Sequence, residues 1–169
     1  MSFNVKDEFS KQISAHQDIL HKVCRVYCPN PSEREDLFQE ILYQLWKSYD
    51  SFRGDAKFTT WMYRVALNTA ITGFKKFQKI PKSKDINERI MEMPEGKDEI
   101  TEDRLKALYE AIATLNDIDK ALIMLHLEDH SYQEIANVMG ITETNVGVKL
   151  NRIKKKLKEI LTKKEALWN

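Results

Sequence analysis

Glycine and proline are scarce in this chain, five and four among 169 residues. That disfavours many short strands joined by tight turns and leaves helices as the default. No glycine-rich phosphate loop, closely spaced carboxylate cluster or complete His/Cys zinc set is present, so an enzyme acting on nucleic acid has little support and no small-molecule substrate is expected. The four histidines, His16, His21, His126 and His130, are scattered. The two cysteines, Cys24 and Cys28, stand four apart near His21. That spacing could serve zinc on one helix, but a fourth ligand is missing nearby and buried thiols are the simpler reading, so neither metal nor cofactor is expected. No apolar run is long enough to span a bilayer, and the N-terminal MSFNVKDEFSKQ lacks the apolar core of a signal peptide. The expected compartment is the cytoplasm.

A strong charge of either sign is also missing, since the formal net charge is +1. The average hides segregation. Residues 56–84 carry Lys57, Arg64, Lys75, Lys76, Lys79, Lys82 and Lys84 and no acid, whereas residues 85–103 hold eight acids against Arg89 and Lys97. Basic block, acidic connector and a basic C-terminal helix follow one another. Two separated basic surfaces suggest two contacts with one nucleic acid.

The C-terminal stretch SYQEIANVMGITETNVGVKLNRIKKKLK reads as a helix-turn-helix. Ser131 and Glu134 have the spacing of a capping box opening a short helix with Ile135, Ala136 and Met139. Gly140 suits the tight turn, and Thr142 suits the N-cap of a second helix. There Val146, Leu150, Ile153, Leu157 and Ile160 recur on one apolar face. Thr144, Asn145, Lys149, Asn151, Arg152, Lys154, Lys155, Lys156 and Lys158 occupy the other, as a recognition helix in a DNA major groove requires. A basic amphipathic helix is often only a solvated face; the caps, glycine and acid-free exit in one register favour DNA binding.

In the first half, one helix is expected from about Val5 to Tyr27, stopped by Pro29-Asn30-Pro31. Ser32 and Glu35 suggest a capping box for the next helix. Its core stripe is Leu37, Phe38, Ile41, Leu42, Leu45, Trp46 and Tyr49, with Asp36, Glu40, Tyr43 and Lys47 opposite. A turn-rich loop, residues 50–57, contains Gly54. A third helix begins near Thr59 and places Arg64, Asn68, Thr72 and Lys75 on one face. An amide, a hydroxyl and cations, with aromatics and a loop at their start, suit single-stranded DNA. Solvation explains that face equally well, and for Trp61 a place in the core is preferred. The connector from about Ile80 to Glu102 contains Pro81, Pro94 and Gly96 and has little periodicity. The expected architecture is therefore all-α, with two small helical domains (residues 1–79 and 103–169) joined by a flexible acidic linker (residues 80–102), the second ending in the helix-turn-helix.

Together, EDLFQEILYQLWKSYDSFRGDAKFTTWMYRVALNTAI and LNDIDKALIMLHLEDHSYQEIANVMGITETNVGVKLNRIKKKLKEIL resemble regions two and four of extracytoplasmic-function RNA polymerase sigma factors. The resemblance covers nearly the whole chain, and the two motifs occur in order across a variable linker. One departure is Gly147, where a cation or small polar residue is expected. By resemblance, the first domain binds a coiled coil of core RNA polymerase through Asp36, Gln39, Glu40 and Tyr43. It captures a flipped base of the minus-ten promoter element through Arg53, Gly54, Asp55, Lys57, Phe58, Thr60 and Asn68, and Arg64 and Lys75 on the same face are expected to contact that element's DNA. The cost of extruding that base, a few kcal/mol, can be offset by stacking and hydrogen bonding. The second domain reads the minus-thirty-five element as duplex through Thr142, Thr144, Asn145, Lys149, Arg152 and Lys156. The implied partners are core polymerase, promoter DNA and an anti-sigma factor. The implied function is a promoter-specificity subunit with no catalytic centre. The competing reading is a self-sufficient helix-turn-helix regulator binding a palindromic operator.

Overall fold

The computed structural model describes residues 2–77 and 99–168. The described elements are all helical, and the chain divides into two compact units, Met1–Lys84 and Asp85–Asn169. Most of the expected linker lies outside the described residues.

The first unit contains α1 (Ser2–Ala15), α2 (Gln17–Tyr27), α3 (Pro31–Ser48), a short 3-10 turn (Tyr49–Ser51) and α4 (Phe58–Phe77). The single first helix expected from the sequence is two. The break is at His16, where φ −124° and ψ 23° leave the helical region. His16 N–H donates to the Ile13 carbonyl three residues back, and its own carbonyl accepts from Ile19 N–H. The change of direction sets the His16 ring beside Phe58, 5.9 Å between centroids. Apolar periodicity continues through the bend, which is why the sequence reads as one helix.

Cys28 and Asn30, each before a proline, are extended, and α2 therefore stops at Tyr27. The cap of α3 is not the expected Ser32–Glu35 box. Asn30 takes it two residues earlier, its Oδ1 accepting from Ser32 N–H at 3.1 Å and from Ser32 Oγ at 2.9 Å. Pro31 at the first helical position fixes that register, because it lacks the N–H that a cap would have to satisfy. Arg34 folds back to donate to the Cys28 and Pro29 carbonyls, both at 3.1 Å. Its guanidinium thereby satisfies acceptors that the end of α2 leaves open.

The core of this unit joins Leu20, Val23 and Tyr27 of α2, Leu37, Ile41 and Leu45 of α3, and Met62, Ala66 and Ala70 of α4, all essentially inaccessible. Buried Thr69 donates its hydroxyl to the Val65 carbonyl at 2.7 Å, so it brings no unsatisfied donor into the core. Cys24 and Cys28 are also buried and free. Burial, with Cys28 adding and Arg34 opposing, pushes the Cys24 thiol up to about 12, so it stays protonated. His21 instead stacks on Phe38, 4.7 Å between centroids.

The second unit contains α5 (Glu99–Ala113), α6 (Asp117–Leu127), α7 (Tyr132–Met139) and α8 (Glu143–Trp168). Here α5 starts four residues before the expected beginning of the domain at 103. Short polar caps delimit the helices. Asn116 Oδ1 accepts from Asp119 N–H at 2.8 Å, Ser131 Oγ from Glu134 N–H at 3.1 Å, and Thr142 Oγ1 from Asn145 N–H at 3.1 Å. Gly140 adopts φ 69° and ψ 34° and ends α7. The Gly140 and Ile141 N–H groups both return to the Ala136 carbonyl, closing the turn between α7 and α8. Leu122, Leu125, Ile135, Val146, Leu150 and Ile153 form the centre of the core. Ile160 is only half-buried, as the stripe runs out toward the end of α8. Lys164 Nζ, 2.7 Å from Glu110 Oε2, ties α8 back to α5.

Candidate nucleic-acid and polymerase-binding surfaces

On α3, the buried positions Leu37, Ile41 and Leu45 leave Asp36, Gln39, Glu40 and Tyr43 exposed on the opposite side. Tyr43 is 56% exposed. Glu40 Oε1 accepts from Gln44 Nε2 at 3.1 Å, one turn on, which holds its carboxylate along the helix. Beside this row lies an open groove of about 420 Å³ between α1 and α3, lined by Phe9, Ile13, Gln39, Leu42, Tyr43 and Trp46. Trp46, expected in the core, is 40% exposed there. It occupies the edge of the broad apolar face of α3, where α1 reaches it with the Phe9 ring (centroids 5.1 Å apart, edge-on) but does not cover it.

The loop expected to meet the minus-ten element joins the 3-10 turn to α4. Gly54 sits at its bend with φ 79°, a conformation that strains any side-chain-bearing residue. Arg53, Gly54, Asp55 and Lys57 are exposed, while Phe58 and Thr60 are half-buried. Behind the loop, Phe52, Phe58 and Trp61 form a triangle with centroid separations of 5.6, 5.2 and 5.4 Å. Tyr49 extends it at 6.1 Å from Trp61. Trp61 therefore supports the loop from below. Arg64 and Asn68, one turn apart, are exposed on α4. Thr72 spends its hydroxyl proton on the Asn68 carbonyl at 2.7 Å, leaving the Asn68 side-chain amide as the polar group of that face with Arg64. Lys75 lies further along α4, and its side chain is outside the described residues.

In the second unit, Thr144, Asn145, Arg152 and Lys156 are exposed along α8. Thr142 is also exposed, with its oxygen engaged as the cap. Lys149 is half-buried on the flank of the helix. Gly147 faces the ring of Tyr132. A Cβ there would stand 3.4 Å from Cε2 of Tyr132, in van der Waals contact with the ring that begins α7. That approach is invisible to local sequence patterns, because the partners belong to different helices. Sequence reading also misses Val148, 45% exposed in the middle of the polar face. The helical period could have found it. Nearby, His126 is pulled below the usual histidine range by burial and by Lys154, with Asp129 opposing. The imidazole is thus kept from adding a second cation beside Lys154.

An exposed polar row beside an apolar groove, an aromatic-backed loop and a helix-turn-helix in the second unit place the chain among two-unit helical proteins of the DNA-binding type. The sequence models of Sigma-70 region 2 and Sigma-70 region 4 match residues 12–80 and 105–157. The RNA polymerase sigma-H factor of Pseudomonas aeruginosa is 32% identical over 133 residues, covering 72% of this chain and 67% of that protein. The ECF RNA polymerase sigma-E factor of Escherichia coli K12 is 30% identical over 149 residues, covering 79% and 75%. In fold, the chain is similar to RpoE of Bartonella quintana, solved with the anti-sigma factor NepR (TM-score 0.73, 18% identity, 92% of this chain and 97% of that one). It is also similar to CnrH, solved with the cytosolic domain of CnrY (TM-score 0.67, 18% identity, 93% and 89%). The chain belongs to the sigma-70 family of RNA polymerase sigma factors, in its extracytoplasmic-function class. It is a promoter-directing subunit whose partners are core RNA polymerase and promoter DNA.

Proposed function

We propose that the work of initiation is divided among three surfaces, and that the chain brings no catalytic centre of its own. Asp36, Gln39, Glu40 and Tyr43 dock on core polymerase. The loop 53–57, with Phe58, Thr60, Arg64, Asn68 and Lys75, holds the melted minus-ten strand. Thr142, Thr144, Asn145, Lys149, Arg152 and Lys156 engage the minus-thirty-five duplex. The observation that carries this division is the presence of two compact units, each with its own core and its own exposed polar face. Small basic surfaces bind weakly alone and gain effective concentration when a polymerase scaffold fixes their spacing. The first domain is proposed as residues 1–79 and the second is extended from the expected 103–169 to take in all of α5 from Glu99, which shortens the expected 80–102 connector.

The compartment is the cytoplasm, where core polymerase works; among the described residues no helix is long and apolar enough to cross a membrane. Two structural relatives were solved with proteins bound to them, one of these an anti-sigma factor. On that likeness an anti-sigma factor is the expected inhibitor here, with the groove beside Tyr43 and Trp46 available to it.

In vitro transcription on a promoter library tests the reading. Core enzyme alone should show no promoter preference, and adding this protein should confer one. Tight operator binding by the protein alone, unchanged by core enzyme, would favour the self-sufficient regulator instead. Within the same assay, Asn68→Ala is expected to impair open-complex formation while sparing upstream duplex binding. An amide paired to a base edge is worth about 1–3 kcal/mol of discrimination, so the preference at one minus-ten position should fall roughly 5- to 150-fold. Equal loss on every sequence would assign Asn68 to backbone positioning.

A further inference from the structure

The exposed face of α8 is not uniformly polar. At 3.6 residues per turn, successive side chains are about 100° apart, and the buried stripe Val146, Leu150, Ile153 and Leu157 defines the inward direction. Val148 lies roughly 180° from the middle of that stripe. Thr144 and Arg152 stand one turn before and after it, and Asn145 and Asn151 flank it at three residues, all four exposed. Among the described residues of α8, Val148 is the large apolar side chain left in solvent. It lies at the point of the helix furthest from the domain core.

This position is costly for the isolated protein. A β-branched residue is a poorer helix former than alanine, and its exposed apolar surface gains nothing from water. Gly147, the preceding residue, faces the Tyr132 ring and presents no side chain of its own. Lys149, the following one, is half-buried on the flank, a position suited to a phosphate at the groove edge. A base-edge contact at the centre of the face therefore falls to Val148, between the hydrogen-bonding groups of Asn145 and Arg152. Of the groups displayed in a major groove, the one an aliphatic side chain can recognise is the C5-methyl of thymine.

We propose that Val148 is a specificity-determining residue, reading a thymine methyl group at one position of the upstream promoter element. The proposal rests on the assignment of α8 to duplex reading. Contact between the two branched groups removes apolar surface on both sides, and at the usual value for one buried methyl this gives about a three- to fivefold preference for thymine.

The test uses holoenzyme reconstituted from core polymerase and the full chain. The preferred upstream element is first selected from a randomised duplex library. Each thymine in it is then replaced singly by deoxyuridine, which keeps every hydrogen-bonding group and lacks the methyl. Wild-type holoenzyme should lose about three- to fivefold in affinity at one thymine. Val148→Ala should bind the parent duplex weaker by a similar factor and be indifferent to deoxyuridine at that position. Its unfolding midpoint should equal or slightly exceed the wild type's, since the side chain stands outside the core and alanine is the better helix former. The proposal is overturned if no thymine is sensitive to the exchange, or if the same sensitivity persists in Val148→Ala. Failure of the underlying assignment looks different: the library then yields no upstream preference, and Arg152→Ala leaves binding unchanged.

Discussion

Reversing Asp36 and Glu40 together to lysine is expected to weaken association with core RNA polymerase by roughly ten- to hundredfold, about 1.4–2.8 kcal/mol, because it inverts the charge on the proposed docking face. Both side chains are exposed on the outer face of α3, opposite Leu37, Ile41 and Leu45. The double substitution breaks the exposed hydrogen bond from Gln44 to Glu40, and such surface bonds contribute little to stability. Thermal unfolding should therefore be unchanged, and binding to an isolated upstream duplex should rise or stay level, since the added charge is positive. Titration of labelled protein into core enzyme measures the effect. Unaltered affinity in the double variant would remove α3 from the polymerase interface.

Leu150→Ala should do the opposite, destroying stability in one unit and sparing the other's partner. Leu150 is fully buried on α8, which packs against α5, α6 and α7. Truncating a buried leucine costs about 2–5 kcal/mol, a large part of what a helical unit this small can hold. The corresponding fall in its unfolding midpoint is roughly 10–30 °C. Hydrogen exchange should show lost protection in α5–α8 while α2, α3 and α4 keep theirs, because the first unit has its own core. Promoter selection through the upstream element should vanish, and binding to core polymerase should persist. The contrast with Val148→Ala, two residues away and expected to lose no stability, separates the inward and outward faces of the same helix.

The parts of the fold that are legible in the sequence are those encoded within one turn of chain. Ser131, Gly140 and Thr142 each bond to residues three or four positions away, so their types alone announce the helix-turn-helix. The Val146–Leu157 stripe is equally plain from its period. What escapes depends on distant partners or on competition between neighbouring signals. The bend at His16 is associated with a ring more than forty residues away, Phe58. Asn30 captures the cap that Ser32 could also have formed, because Pro31 between them dictates where the helix begins. Trp46 looks like core on a helical wheel, and its exposure depends on how much of α3 the first helix covers. Gly147 faces Tyr132, fifteen positions earlier, a neighbour that no local pattern announces.

Trp46 also makes the α1–α3 groove self-reporting. Of the three tryptophans, Trp61 is half-buried in its aromatic triangle, and Trp168 belongs to the end of α8. In a Trp168→Phe background, red-edge emission would come mainly from Trp46, whose indole is open to water on one side and held edge-on by Phe9 on the other. Any protein that covers the groove, whether polymerase or inhibitor, should shift that emission to the blue and shield it from iodide quenching. Occupancy of this face can thus be followed optically in the unlabelled chain, and competition between two partners for it becomes a titration.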